Sequence, residues 1–295
     1  MLPLDKDLQQ QKNSLNEFTE LTIRILNYLP NVLTGVEEKG NYLIFTSNLA
    51  GTLKYTRPIN KSLFLNTPSQ FKERLNIFYS SLKKLMQNHS LNLDEQFNIN
   101  SVIYTIQQSI GLGLDLLVKP NSARKHVGNR FEELIKSVFN FLNISNKHIL
   151  LQIPYETESK TKTYTCENDL ILSPSKNIKS TNKNIDENEI VISVKTSSKD
   201  RLGKIFIDKI LIEKFIGHKT KVVAIFLNDV QRKEAKNISY TFVSGLFMVY
   251  TKFLTQLEGI YYLDPPPKTQ IPPFNKYIKK FSDLICSDLR ELFSS

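Results

Sequence analysis

The chain has 295 residues, 40% of them hydrophobic and 23% charged, which is ordinary for a globular protein long enough to bury a sizeable core. Lysine and arginine number 39 against 29 aspartates and glutamates, and the net charge of +10 favours polyanionic partners. Two cysteines exclude a disulfide framework or a cysteine-rich metal cluster, and no apolar run reaches the roughly 20 residues of a membrane span. We therefore expect a cytoplasmic protein with no membrane segment and no amino-terminal secretion signal.

The first 120 residues are predicted to be mostly helical, because apolar side chains recur at spacings of three and four. A hairpin separates two of the helices, and its strands are joined across Asn48 and Gly51. In chain order the predicted elements are a helix over 14–35, strands over 41–46 and 53–56, a helix over 68–88 and an apolar stretch over 100–118. No catalytic cluster is evident among them.

From Asn121 onward, strands alternate with helices. The predicted elements are a helix over 121–143, strands over 148–156, 163–172 and 189–196, a helix over 202–216 and a strand over 221–229. Further strands over 238–242 and 259–264 and helices over 244–257 and 274–293 either complete the core or form a dimer surface. Helix, three strands, helix and strand in this order predict an α/β (α+β mixed) fold, in which helices flank a mixed β-sheet.

Asp169 and Lys195 stand out because of where they fall in two β-type runs. Asp is depleted in strands, yet Asp169 lies inside the run TYTCENDLIL. Lys195 ends the run EIVISVKT, in which alternation puts Ser193 and Lys195 on the same face. Pairing of the two runs brings all three residues to one edge of the sheet. Carboxylates suit Mg²⁺ and an ammonium can orient a water molecule, and these are requirements for hydrolysing a phosphodiester bond.

This arrangement resembles the PD-(D/E)XK nucleases, whose signature is an Asp on one strand and an acidic-x-Lys on the next. Asp169 matches the first acid, with Asn168 in place of the usual Pro, and Lys195 matches the lysine. Ser193 occupies the slot that usually holds Asp or Glu, so one metal ligand of the family's pattern is missing there. The resemblance covers about residues 121–230 and implies a restriction-endonuclease-like core that binds Mg²⁺.

The type II restriction enzymes that read CC/GG-containing sites form a subset that is similar in this respect. They place Ser or another non-acid in the same slot and take the second carboxylate from the following helix. Asp208 lies thirteen residues after Lys195, at the subset's usual spacing, and Glu213 is the fallback. The resemblance therefore implies Asp169 and Asp208 as metal ligands. The alternative for Asp208 is a solvated helix residue paired with Lys204.

A basic–acidic–basic triplet, Lys199-Asp200-Arg201, follows in the run K-T-S-S-K-D-R. It is similar to the subset's K-T-T-x-R-E-R segment, in which the triplet reads a C·G pair in the major groove. A basic side chain donates to guanine O6 and N7, and a carboxylate accepts from cytosine N4. Lys199 stands where the subset has Arg, and this weakens a bidentate contact. A solvated turn is the alternative for these residues.

Two further segments carry candidate site residues. NSARKHVGNRFEELI at 121–135 resembles the first helix of the nuclease core, which often carries a Glu near the metal site. On a helix of about 100° per residue, Glu132 flanks the apolar face and Glu133 points nearly opposite, so Glu132 is the candidate. The basic start of this helix and the loop NDVQR supply the remaining DNA-binding candidates. They are Arg124, Lys125, Gln231 and Arg232.

The resemblance implies a type II restriction endonuclease of a prokaryotic cell, acting as a homodimer on a short, palindromic, G/C-containing site in double-stranded DNA. Residues 121–295 then form the nuclease core with its C-terminal helical elements, and residues 1–120 serve DNA binding or dimerisation. Another DNA nuclease on the same core, such as a repair or recombination enzyme, is one alternative. A decayed core that binds DNA without cutting it is another, and Ser193 favours it.

Overall fold

In the computed structural model, which describes residues 2–49 and 51–294, the chain folds into helices, a small amino-terminal sheet and a large mixed sheet. The amino-terminal part comprises α1 (Leu4–Gln9), α2 (Leu15–Tyr28), β1 (Leu33–Lys39), β2 (Tyr42–Leu49), β3 (Thr52–Tyr55), β4 (Ile59–Asn60), α3 (Pro68–Met86) and α4 (Leu93–Leu117). The remainder comprises α5 (Pro120–Phe141), β5 (Ser145–Thr157), β6 (Lys160–Ser173), β7 (Ile190–Lys195), α6 (Leu202–Ile216), β8 (Lys221–Asn228), β9 (Val230–Lys233), β10 (Asn237–Tyr240), α7 (Ser244–Phe253), β11 (Gly259–Asp264), β12 (Ile278–Lys280), α8 (Phe281–Asp283) and, after a π-helical turn, α9 (Leu289–Ser294).

The large sheet has the strand order β12-β11-β8-β7-β6-β5. Strands β12, β11, β8 and β7 run parallel to one another, while β6 pairs antiparallel with both β7 and β5. Parallel strands need crossover connections, and α6 supplies the one between β7 and β8. The predicted fold class, a mixed sheet flanked by helices, is confirmed.

Both faces of this sheet are covered by apolar side chains, because successive residues of a strand point to opposite faces. On β7, Ile192 belongs to the hydrophobic cluster that contains Phe131 of α5. Its neighbour Val191 belongs to a second cluster, which contains Phe206 of α6 and Phe247 of α7. The strands are therefore buried on both sides, as is typical of parallel sheets between helices.

Helix α4 passes through the first of these clusters and is buried along most of its length. A capping box between Asn92 and Glu95 begins the helix. A Cβ atom on Gly111 would collide with the guanidinium of Arg57, so glycine at this position lets Arg57 lie against the helix. The cluster also contains residues from both sides of position 120, and the division of the chain there stays a prediction.

Several element boundaries differ from those predicted. The helix predicted over 14–35 ends at Tyr28, where a 3₁₀ turn containing Pro30 leads into β1. The helix predicted over 274–293 begins only at Phe281, because the preceding residues form β12 and pair with β11. None of the helices in the described ranges is long and apolar enough to cross a membrane.

Candidate functional site

The carboxylate of Asp169 lies where β6 meets β7. Its Oδ2 atom is 2.5 Å from Nζ of Lys195, and it accepts a hydrogen bond of 2.8 Å from the backbone N–H of Val194. The hydroxyl of Ser193 donates to the same oxygen at 3.5 Å. Asp169 is 8% exposed, so its orientation is fixed by these contacts rather than by solvent. The two strands thus bring Asp169, Ser193 and Lys195 together.

An irregularity in the β5–β6 pairing falls at Asp169. Lys147 pairs with Ile171 and Ile149 pairs with Asn168, so two residues of β6, Asp169 and Leu170, lie opposite one residue of β5. This is the residue count of a β-bulge, which interrupts the alternation of side chains and turns one of them in a new direction.

Glu132 approaches the same lysine from α5. Its Oε1 atom is 3.3 Å from Nζ of Lys195, and burial together with repulsion from Asp169 raises the pKa of Glu132 to about 7. Burial opposes the positive charge of Lys195, but attraction to Asp169 and Glu132 outweighs it and raises the pKa of the lysine. Glu133 is directed elsewhere, since it accepts hydrogen bonds from the backbone of Lys12 and from Arg130.

A cleft of about 610 Å³ opens beside Lys195 and Glu132. Among the described residues that line it, five are cationic and one, Glu132, is acidic. The cations are Arg57, Arg124, Lys195, Lys199 and Arg201. Cationic side chains concentrated around a concave surface attract polyanions. The electric fields of the charges add, and the low-dielectric walls of the cleft focus them.

The DNA-binding candidates fall at different places around this cleft. Arg124, Lys199, Arg201 and Gln231 line it, and Nζ of Lys199 lies 3.5 Å from Oε1 of Gln231. Arg232 lines an adjoining cavity, where its guanidinium lies over the ring of Tyr55. Lys125 is exposed on α5 but is not part of the cleft lining, and Asp200 is exposed in a turn with a left-handed φ of 56°.

The two candidate second carboxylates lie at separate positions on α6. Asp208 forms an ion pair with Lys204, one helical turn before it. In residues 2–49 and 51–294, no hydrogen bond or ion pair joins Asp208 to Asp169 or Lys195. Glu213 accepts hydrogen bonds from Lys219 and from the backbone of Thr220, near the end of the helix.

The sequence gives no match to a protein-family model, and no curated protein matches it. Among solved structures, the chain is similar to the type IIP restriction endonuclease Kpn2I, with a TM-score of 0.72 and 18% identity over 95% of this chain and 91% of that one. The chain has a restriction-endonuclease fold. The complex of restriction endonuclease PspGI with substrate DNA has a TM-score of 0.40 and 11% identity, over 75% of this chain and 93% of that one, which is too low to add to this result.

Within this fold, the donor set fits Mg²⁺. No group of three or more His, Cys, Asp or Glu side chains in the described ranges is placed to hold a metal ion. Asp169 and Glu132 nevertheless offer two carboxylates on either side of one lysine. Magnesium is commonly bound by one or two carboxylates, with water and substrate phosphates as its other ligands. A cation there would also relieve the repulsion between the two acids that contributes to the raised pKa of Glu132.

Arg57 is a cleft residue that the sequence analysis missed. Its guanidinium forms two hydrogen bonds with the carboxylate of Asp115, at 2.8 and 2.7 Å, and this holds it in one orientation. It belongs to the amino-terminal part of the chain and is more than 60 positions away from Arg124. A local sequence pattern gives no indication that Arg57 lies beside Asp115 of α4 and in the same cleft as Arg124 of α5.

Proposed function

We propose that the protein is a type II restriction endonuclease that hydrolyses phosphodiester bonds in duplex DNA at a short specific site, with Mg²⁺ as cofactor. The observation that carries this proposal is the convergence of Asp169, Glu132 and Lys195 beside a cationic cleft. The fold shared with a type IIP restriction endonuclease supports it. A soluble role on DNA in a prokaryotic cytoplasm accords with the net charge of +10.

In this proposal Asp169 and a second carboxylate hold Mg²⁺. Asp208 is the candidate that the sequence resemblance implies, and Glu132 is the one that lies within 3.3 Å of Lys195. When bound, Mg²⁺ supplies a Lewis acid for the scissile phosphate. Lys195 remains an ammonium ion at neutral pH, because its neighbouring carboxylates raise its pKa. It orients the attacking water and stabilises the developing negative charge. Ser193 completes the site by donating to Asp169.

Recognition of the DNA is assigned to the rim of the cleft. The residues that are proposed to contact base edges are Lys199, Asp200, Arg201, Gln231 and Arg232. Arg124 and Lys125, on the first turns of α5, are proposed to contact phosphates. A palindromic G/C-containing site is read most simply by two copies related by two-fold symmetry, so we propose a homodimer.

The deciding experiment is digestion of phage DNA by the purified protein, with and without Mg²⁺. Discrete fragments that depend on Mg²⁺ are expected, and their ends give the recognition site. A smear of fragments would instead indicate a repair or recombination type of nuclease. Tight DNA binding without cleavage in any divalent metal would indicate a decayed core, the alternative that Ser193 favours.

A further inference from the structure

Beyond the cleavage site, Asp229 is the centre of a buried hydrogen-bond network. It directly follows β8 and is 1% exposed. Its Oδ1 atom accepts from the Ser197 hydroxyl at 2.9 Å, the Ser198 backbone N–H at 2.7 Å and the Thr241 hydroxyl at 3.2 Å. Its Oδ2 atom accepts from the hydroxyls of Ser198 and Tyr262. A buried carboxylate needs such partners to offset the loss of hydration, and these hydrogen bonds fix the orientation of the Asp229 carboxylate.

The network continues from the two serines into the Lys199-Asp200-Arg201 triplet. The backbone N–H of Lys199 donates to the hydroxyl of Ser197 at 3.1 Å. The backbone N–H of Arg201 donates to the carbonyl of Ser198 at 3.0 Å, as the first residue of α6 also does. The side chains of the triplet are exposed, and the two serines contact its backbone at both ends. Asp229 is therefore connected to the start of the triplet through Ser197 and to its end through Ser198.

The same carboxylate belongs to the loop that carries the other base-reading candidates. Asp229 immediately precedes β9, which contains Gln231 and Arg232. Its carbonyl accepts from the backbone N–H of Thr241 at 2.9 Å, which connects the end of the β9–β10 hairpin to the same point. One residue thus contacts both segments at the rim of the cleft, the serines through its carboxylate and the hairpin through its carbonyl.

We propose that Asp229 is a positioning residue for sequence discrimination, which it provides by holding the triplet 199–201 and the loop 228–232 in a fixed relative position. This inference rests on the proposed function, since it assumes that both segments read bases. Lys195 does not depend on Asp229 in the same way. It is paired in register with Phe226 of β8 and contacts Asp169 and Glu132 on its other side. Loss of the network is therefore expected to reduce discrimination more than cleavage.

The experiment compares pairs of variants that remove equivalent hydrogen bonds from neighbouring residues. Tyr262→Phe removes a hydrogen bond of 2.7 Å to Asp229, and Tyr261→Phe removes one of 2.7 Å to Asp288. Asp229→Asn and Asp288→Asn form the second pair. All four residues are buried, so each pair is expected to lose similar thermal stability. Melting temperature is measured for every variant to verify this.

The readout is the ratio of the cleavage rate at the cognate site to the rate at sites that differ by one base pair. Wild-type digestion identifies the cognate site first. Asp229→Asn is expected to lower this ratio about tenfold, which is the size of one lost base-pair discrimination. Tyr262→Phe is expected to lower it about threefold, while Tyr261→Phe and Asp288→Asn leave it unchanged. Ser198→Ala, which also removes one hydroxyl that contacts Asp229 directly, is expected to resemble Tyr262→Phe.

Two different failures are distinguishable. If wild type discriminates and the Asp229 and Tyr262 variants cut all sites more slowly by one common factor, Asp229 is only structural and the inference is overturned. If wild type itself yields no discrete fragments, the proposed function fails. In that case, the affinity of the wild-type protein is measured for several DNA duplexes that differ in sequence. Equal affinities overturn the inference as well.

Discussion

Lys195 separates two carboxylates that come from different elements, Asp169 from β6 and Glu132 from α5. The two carboxylates repel each other, and that repulsion contributes to the raised pKa of Glu132. The ammonium group offsets the repulsion and is itself held in one place by both partners. A lysine with these contacts is suited to orienting a small molecule such as water against a phosphate.

Replacing Lys195 by Ala is expected to reduce cleavage at least about 100-fold, because the group that orients water and stabilises charge is lost. DNA binding is expected to be largely retained, since four other cations line the cleft. Plasmid cleavage measures the first effect, and a gel-shift titration in Ca²⁺ measures the second. Lys84→Ala is the control, because it removes a lysine that is paired with a carboxylate, Glu95, outside the candidate site. Cleavage within tenfold of wild type would contradict the role given to Lys195.

Asp200 allows recognition to be tested separately from chemistry. Its φ of 56° is left-handed, so Asp200→Gly removes the carboxylate without straining the backbone. Discrimination between the cognate site and a site with one changed base pair is expected to fall about tenfold. Affinity for random DNA is expected to stay the same or rise, because a negative charge is lost beside a cationic cleft. Asp200→Asn keeps an acceptor oxygen and is expected to lose less. Equal losses on cognate and random DNA would exclude base reading.

At the scale of single elements, patterns along the chain predicted which strands and helices carry the candidate site. Alternation along β7 placed Ser193 and Lys195 together, and the helical periodicity of α5 separated Glu132 from Glu133. The same patterns could not give the direction of Asp169, because the irregular β5–β6 pairing depends on a second strand. They also missed β1, which pairs with β2 across the turn at residues 40–41, because its first residues fell inside the helix predicted over 14–35.

Helix α6 carries two candidate carboxylates, Asp208 and Glu213, which occupy different surroundings along it. If Asp208 is a metal ligand, Asp208→Asn lowers cleavage about 100-fold, while Glu213→Gln stays within about threefold. Cleavage rates are measured over a range of Mg²⁺ concentrations, since loss of a ligand raises the concentration required. Glu132→Gln is measured in parallel. A severe effect at Glu132 together with a mild one at Asp208 would assign the second carboxylate to α5.

At the scale of the whole molecule, the amino-terminal part is joined to the large sheet through Asp264 at the end of β11. The carboxylate of Asp264 accepts from the amide of Asn60 at 2.7 Å and from the hydroxyl of Tyr42 at 3.1 Å. Both donors lie on the small amino-terminal sheet, and the backbone N–H of Asn60 donates to the hydroxyl of Tyr104 on α4 at 2.8 Å. Sequence periodicity identified β2 and β11 but neither β4 nor this polar contact, which joins residues about 200 positions apart.

Burial of Asp264 raises its pKa to about 6, and this gives folding a pH dependence of predictable sign. Because its pKa is higher in the folded state than in the unfolded state, the contribution of Asp264 to stability is greatest below about pH 4. It is lost between about pH 4 and pH 6, where the unfolded chain ionises more readily than the folded one. A shift of this size corresponds to about 3 kcal/mol at most.

Asp264→Asn removes this titration and keeps a group that can pair with Tyr42 or Asn60. The free energy of unfolding of the variant minus that of wild type is therefore expected to increase from pH 4 to pH 7.5. Urea denaturation of both proteins at each pH measures it, and the other titrating groups cancel in the difference.

Asp288→Asn is the opposite-sign control. Burial disfavours ionised Asp288, but hydrogen bonds from Lys279, Tyr261 and Ser287 outweigh burial and lower its pKa. Its stabilising contribution is therefore almost fully present at pH 4 and is lost only as pH falls below the unfolded pKa, so its difference should show no increase from pH 4 to pH 7.5. The same trend in both variants would mean that Asp264 does not titrate as its buried position between the two sheets requires.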